Sequence, residues 1–527
     1  MIYYTIYLHK IQHNYVQLVF FSQYKSKRNN FRLNSSFVLI IERKHGKIDL
    51  YKEQGGHTMK KKAEKEYRFF LQHYLLKLLG ISKDNNIQEN TDGYKGQLIC
   101  QEGEYIFFST NTETPFKIKY TRTLSEDDIS VAKNIIRVFF KVAESKMDEG
   151  QKKTPNTYFS DVQKNDNYEL AIQRGLCNWI VGQSNDNVES LIKILEKWSV
   201  QTYEGKKVTL GFVINPYATA SFENDHFGTF KDFLTDDFAA VFTDCIQSVI
   251  ELDANCEFCR YLSTTENDIV EAYKLSNYLP VRFSSVIQKY VAGSCVGIFL
   301  LNNGDIILSK NREIRFVKRN LSWLNMSYDA FKNAFGSYLL DSNIDDSLVE
   351  SIYASTLDVS FSHAGGIIAI ADDISFLTKP EKDGFPILHK CDYVLENISY
   401  SALEDYFKQQ NKDYESSNNR HLIVSEREIY KRILKRKALD KLVNGKTFCQ
   451  IDRKLRSELI SLDGACILTS KGEICSFGAI IKNDSGSSGG GRGAASKKLS
   501  RFGMAIKIST DGYIELYING DLKYAIK

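Results

Sequence analysis

Apolar positions along the chain change their period several times, and each change marks a predicted element. Lys60-Lys-Lys-Ala-Glu-Lys-Glu-Tyr-Arg-Phe-Phe-Leu71, continuing through Leu76 and Leu79, repeats apolar residues every three to four positions and predicts a helix. From Gln97 to about Tyr120 the pattern shortens to strands, including Tyr105-Ile-Phe-Phe108, and from Leu124 to Met147 it returns to a helix with Ile129, Val131, Ile135, Ile136, Val138 and Phe139 on one broad side. Ser and Thr clusters with Pro155 mark a boundary. Helices are then predicted over Glu169 to Ile180 and Asn187 to Trp198, a buried strand over Val208 to Ile214, and a further helix over Asp232 to Leu252. Gly297-Ile-Phe-Leu-Leu-Asn-Asn-Gly-Asp-Ile-Ile-Leu308 reads as a hairpin turning at Asn303-Gly304.

A last block follows with its own rhythm. Ser347-Leu-Val-Glu-Ser-Ile-Tyr-Ala-Ser355 predicts a helix, Ala364-Gly-Gly-Ile-Ile-Ala-Ile370 a strand, and Asp452 to Ile460 another helix. Polar residues from Asp405 to Asn419 suggest an exposed insertion, after which Ser425-Glu-Arg-Glu428 has the form of a capping box. Strands are predicted at Ala465 to Leu468, Gly478 to Lys482, Met504 to Ile508 and Tyr513 to Ile518, the last two joined by an Asp511-Gly512 turn.

Between those strands lies the most informative stretch. Every residue from Ser485 to Gly493 is Gly or Ser except Arg492, and Ala494-Ala-Ser-Lys-Lys-Leu-Ser-Arg501 behind it reads as a helix. Such a run is either a flexible linker or a backbone cradle for an anion at a helix N-terminus. Strands on both sides favour the cradle, because a linker between domains does not sit inside a continuing sheet. The run is neither a Walker loop, lacking Gly-Lys-Ser/Thr, nor a dinucleotide fingerprint.

In these residues the chain resembles the diadenylate cyclase domain of the DNA-integrity-scanning class. Asp463-Gly464-Ala465 matches that family's D-G-A motif, Gly491-Arg492 the glycine and first Arg of its G-T-R-H-R loop, and Ser509-Thr510-Asp511 falls where the family has a serine and an acid. The resemblance covers about the last third of the chain. It departs from the pattern at Gly493 and Ala494, which stand where the family has His and a second Arg. Lys497, Lys498 or Arg501 could supply charge there, though without the fork of a guanidinium.

The resemblance implies an α/β fold with a mixed sheet flanked by helices in the C-terminal domain, preceded by α/β or α+β sensor-like domains. It implies condensation of two ATP into cyclic di-AMP, or a related cyclic dinucleotide, with release of pyrophosphate. Asp463, Arg492 and Ser509 would be the catalytic residues. Gly464, Ala465, Gly490, Gly491, Arg492, Gly493, Ser496 and Lys497 would bind the nucleotide, and Asp463 would hold Mg²⁺ or Mn²⁺. Read without the family, Asp463 and Gly464 can simply form a strand-opening turn, and Ser509 and Thr510 can simply build the turn to Gly512. Each domain would hold one ATP, so the resemblance implies a homo-oligomer with facing domains. A nucleotide-binding sensor that has lost turnover is the alternative, and a nucleic-acid-binding protein using its basic N-terminal segment is a third reading.

With 527 residues and a prior of about 150 per domain, three or so domains are expected. The sequence suggests a basic segment over 1–58, with an alternative start at Met59, and an α+β domain over 59–155. An α/β domain over 160–275, a hairpin connector over 280–340 and the cyclase-like domain over 341–527, with an insertion around 376–422, complete the organisation. A net charge of +4 is too mild to argue for nucleic acid. Ten cysteines scattered along a long chain fit free thiols and a cytoplasmic protein, and Cys256-Glu-Phe-Cys259 lacks the second pair that a zinc ribbon needs. The segment before Met59 lacks the features of a signal peptide, and apolar runs such as Val296 to Leu301 fall short of a membrane span. His363, in Phe361-Ser-His-Ala-Gly-Gly366, reads as a surface loop residue outside the site.

Overall fold

The computed structural model describes residues 5–6, 18–19, 64–81, 87–89, 98–109, 116–120, 122–150, 161–182, 186–203, 206–218, 228–229, 249–256, 258–261, 283–336, 338–372, 441–481 and 490–527. The chain divides into Met1–Lys62 and Ala63–Lys527. In the first part Thr5–Ile6 pairs antiparallel with Leu18–Val19. The expected boundary at Pro155, the insertion around 376–422 and the Ser425 capping box lie outside the described residues.

The second part is a mixed α/β assembly in which helices flank mixed sheets. Its first layer holds a helical stretch over 64–78 and an antiparallel sheet of β1 (Gln88–Glu89), β2 (Ile99–Glu102), β3 (Tyr105–Phe108) and β4 (Phe116–Lys119), ordered β1-β4-β3-β2. Three helices follow, α1 (Glu126–Gly150), α2 (Asp161–Val181) and α3 (Asp186–Ser199). Helices α1 and α2 approach closely because residue 175 is glycine: a Cβ there would lie 2.5 Å from Ile135 Cα.

The second layer is an eight-stranded sheet of β5 (Leu210–Ile214), β6 (Gly228–Thr229), β7 (Val249–Leu252), β8 (Phe258–Tyr261), β9 (Val296–Leu300), β10 (Ile306–Lys310), β11 (Glu313–Arg319) and β12 (Ser322–Asn325). Its order is β6-β8-β7-β5-β9-β10-β11-β12. Strand β9 pairs antiparallel with β5 along its whole length, so the hairpin expected as a connector shares one sheet with the segment before it. Val249–Leu252, expected as the end of a helix, is a strand parallel to β5. All four of its residues are buried, Glu251 with its carboxylate accepting from Asn215 Nδ2, and a short run enclosed on both faces has no periodicity that separates strand from helix.

The third sheet comprises β13 (Gly366–Ala371), β14 (Ala465–Thr469), β15 (Ile474–Ala479), β16 (Gly503–Ile508), β17 (Ile514–Ile518) and β18 (Asp521–Ile526), ordered β15-β14-β13-β16-β17-β18. Only β13 and β14 among its neighbouring pairs run parallel. Between the two larger sheets lie α4 (Ser284–Tyr290), α5 (Tyr328–Phe335), α6 (Asp346–Phe361) and α7 (Arg453–Ile460), whose apolar sides join one continuous core with Phe299, Ile307, Ile368 and Ile506. Asp345 and Asp452 cap α6 and α7 by accepting backbone N–H groups in the first turn. Arg453 joins the two helices through a two-pronged pair with Asp358, at 2.6 and 2.8 Å. The outer face of the third sheet is covered by α8 (Gly490–Leu499), and the contact joins Ala369, Ala465, Ala479, Ala495 and Ala505 with Ile367, Ile467 and Leu499. No helix among the described residues is long and apolar enough to cross a membrane.

A buried polar junction ties the layers together. Arg122 donates to Asp128 at 2.8 Å and to the Leu79 carbonyl at 2.8 Å, and its guanidinium lies 5.6 Å from the Tyr524 ring centroid. Asp128 accepts from Asn325 Nδ2 at 2.9 Å, and the Asn325 carbonyl accepts from Tyr524 Oη. Burial alone would raise the Asp128 carboxyl, but the Arg122 charge and hydrogen bonds from Arg122 and Ser125 outweigh it and hold it below its ordinary value. A depressed carboxylate contributes stability that is fully present above its unfolded pKa of about 3.9 and is lost as pH falls through its lower folded value. Asp128→Ala leaves Arg122 buried and unpaired, and should lower the urea unfolding free energy at neutral pH by about 3–5 kcal/mol; an unchanged midpoint would show that Arg122 is satisfied without it.

Candidate functional site

Strand order and register bring the expected site residues to one end of the third sheet. Ile368 lies opposite Cys466 in the parallel pair, so continuing that register sets Gly366 beside Gly464, and Gly366 faces Ile508 on the other side. Asp463, Gly365 and Ser509 therefore sit just beyond the same end of three adjacent strands. With about 4.8 Å between strands, the Asp463 and Ser509 backbones are roughly 10 Å apart.

Each position has a local cause. Asp463 follows the C-cap of α7 and is exposed, with no hydrogen bond to a described residue. Gly464 has a φ of +116°, and a Cβ on it would overlap the Gly478 backbone of β15, so this glycine is required by the close crossing of two chains. Ala465 is buried at the start of β14. Arg492, expected on a loop, stands in the first turn of α8, because the helix begins at Gly490 rather than after Gly493. Its side chain folds back over the sheet end. A Cβ on Gly365, whose φ is +73°, would lie 2.6 Å from Arg492 Nη1 and 3.2 Å from Thr510 Cγ2.

Ser509 is engaged in its own turn. Its N–H donates to the Tyr513 carbonyl at 2.9 Å, its Oγ accepts from Tyr513 N at 3.0 Å, and its carbonyl accepts from Gly512 N at 2.9 Å. A hydroxyl that accepts one hydrogen bond still has its proton to donate, so this arrangement leaves Ser509 able to bind a phosphate oxygen. Gly490 and Gly491 open the helix with no described atom within 4 Å of an added Cβ. Gly493 and Ser496 are buried against the sheet, and Ser496 Oγ has no hydrogen-bond partner among the described residues. Lys497 is exposed on the outer side of α8.

The structure adds a cation that sequence reasoning missed. Lys507 Nζ lies 3.7 Å from where a Cβ on Gly493 would stand, beneath the first turns of α8. It pairs with Glu515 at 3.0 Å, and Glu515 also receives Lys527 and the Tyr517 hydroxyl. Burial alone would raise the Glu515 carboxyl, but hydrogen bonds from Lys527, Lys507 and Tyr517 hold it below the ordinary range. Two ammonium groups around one carboxylate leave a net positive charge on this face. A lone Lys in the apolar strand Met504 to Ile508 was the available signal, but its partner depended on register. Nearby thiols are inert, since burial pushes Cys466 and Cys475 up to about 12.

Comparison of the chain with family models, with curated proteins and with solved structures returns no match. The arrangement itself is one carboxylate, one guanidinium and a helix N-terminus at the end of a sheet, with a lysine beneath the helix. A guanidinium, a lysine and a helix N-terminus are groups that attract anions, and a carboxylate is one that attracts hard cations. Gly365→Ala should displace the guanidinium from its place over Gly365 and shift the Arg492 Nε–H resonance; an unchanged resonance in a folded variant would show that Arg492 does not lie there.

Proposed function

We propose that residues 341–527 form a nucleotidyltransferase that condenses two ATP into cyclic di-AMP or a related cyclic dinucleotide. The observation that carries this reading is the gathering of Arg492, Gly365 and Thr510 at the sheet end next to Ser509, with Asp463 at the same end of a neighbouring strand. Asp463, Arg492, Ser509 and Thr510 belong to the three motifs through which the chain resembles diadenylate cyclases, with Thr510 lying 47 positions after Asp463, and Gly365 lies just before a strand nearly a hundred residues upstream.

In each half-reaction a ribose 3′-oxygen forms a bond to the α-phosphorus of the other nucleotide, and the bond from that phosphorus to the bridging oxygen breaks. Pyrophosphate leaves with the electron pair, and the hydroxyl proton passes to Asp463 or to water. Asp463 orients the hydroxyl, Arg492 neutralises the phosphoryl oxygens, Ser509 donates its hydroxyl proton to a phosphate oxygen, and the α8 N-terminus adds a partial positive charge. Lys507 supplies part of the charge absent at Ala494. A Mg²⁺ or Mn²⁺ ion bound by the phosphates fits Asp463 as its protein ligand, since such ions take one or two carboxylates with substrate oxygens, and it would lower the cost of charge on the phosphates. Each copy offers one site, so two copies must face each other to close both bonds.

Ala494 favours a second reading, a nucleotide sensor without turnover, because a lysine does not reproduce a second guanidinium fork. Incubating the protein with radiolabelled ATP and Mg²⁺ or Mn²⁺ at several protein concentrations separates the two. A phosphatase-resistant dinucleotide that rises more than linearly with protein is expected, lost in Asp463→Asn while ATP binding survives. ATP binding without product would establish the sensor, and product formation unchanged in Asp463→Asn would remove that residue from the chemistry.

A further inference from the structure

The turn that carries Ser509 and Thr510 is held from the neighbouring sheet. Arg319, at the end of β11, is only 2% exposed, and its guanidinium grips Asp305 through Nε at 3.0 and 3.1 Å and through Nη2 at 2.6 Å. Its remaining nitrogen, Nη1, donates to the Gly512 carbonyl at 2.8 Å and to Ser360 Oγ at 3.1 Å. Ser360, on α6, itself donates to the same Gly512 carbonyl at 2.5 Å. The fit admits no side chain, since a Cβ on Gly512 would overlap Arg319 Nη1.

A second bridge starts from the same loop. Asn303 Nδ2 lies 3.5 Å from His363 Nε2, and His363 Nδ1 lies 3.1 Å from the Thr510 carbonyl. His363 takes a left-handed φ of +54°, which aims its ring across the end of β13 toward the turn. The β9–β10 loop thus reaches the Ser509–Gly512 turn by two routes, one through Asp305 and Arg319 and the other through Asn303 and His363.

We infer that Arg319 is a positioning residue for the candidate site, and that the β9–β10 loop is the element through which the preceding part of the chain sets the Ser509–Thr510 turn. This rests on the nucleotide reading for its functional consequence, while the mechanical coupling stands without it. Arg319 touches no reacting atom. It fixes the carbonyl at one end of a four-residue turn whose other end presents the Ser509 hydroxyl and Thr510, whose Cγ2 lies beside Gly365 as Arg492 Nη1 does. A guanidinium held on both sides by a carboxylate of the β9–β10 loop has one orientation, so movement of that loop relative to the third sheet is delivered to the turn instead of being absorbed by a rotamer change.

The test is hydrogen–deuterium exchange across 509–513 in the full chain, with ATP affinity and thermal stability measured alongside. Arg319→Lys keeps the charge beside Asp305 and removes the fork to Gly512; His363→Ala and Asn303→Ala cut the second bridge at half-buried positions. The expected result is exchange of the turn amides about tenfold faster in Arg319→Lys, and several-fold faster in the other two, with β13 and β14 protected as before. ATP affinity should fall while unfolding temperature changes little in the His363 and Asn303 variants. Unaltered turn exchange in all three folded variants would overturn the coupling. Should Arg319→Lys fail to fold, unaltered exchange in both remaining variants overturns it equally. If the wild-type chain binds no ATP, the nucleotide reading fails, and the exchange result still decides the coupling.

Discussion

The buried Arg122–Asp128 pair is the interaction on which the arrangement of layers depends. A guanidinium with no exposed side-chain surface must find its partners inside, and Arg122 finds them in a carboxylate at the head of α1, a carbonyl after the 64–78 helix and the face of Tyr524. Asp128 also forms half of a reciprocal cap with Ser125 and accepts from Asn325 on β12. Four separated stretches of chain are thereby fixed by one desolvated charge pair, and no member can move without leaving another unpaired. Hydrophobic burial drives the assembly, but it is non-directional; the junction specifies which faces meet.

Much of the fold was legible because its helices are amphipathic and its strands apolar. Asp346–Phe361 and Glu126–Gly150 follow their periodicity, and Arg453–Ile460 follows its capping aspartate. Val249–Leu252 was misread because four buried residues in a row carry no period. The partition into successive domains missed the pairing of β9 with β5, since pairing between strands more than 80 residues apart leaves no local mark.

The candidate site was half legible. Asp463, Arg492 and Ser509 stand out in the sequence by the order of their motifs, and the fold brings them to one end of the sheet. Lys507 and Gly365 were not found. Lys507 becomes informative only once its strand lies under α8, and Gly365 only once its close approach to a guanidinium from residue 492 is known. The glycine-rich run also misplaced the helix start, because Gly490, Gly491 and Gly493 have low helix propensity yet form the first turn of α8.

The packing under α8 has a consequence for the groups at the sheet end. The helix rests on a buried cluster in which Ala369 and Ala505 alternate with larger side chains such as Ile367 and Ile467. Helix height fixes how far Arg492 must reach down and how near Lys507 comes to the first turn. The spacing of the charged groups at the sheet end is therefore coupled to side-chain volumes in the buried layer between helix and sheet. Single methylene changes there would shift Arg492 and Lys507 relative to Asp463 while each of the three keeps its identity.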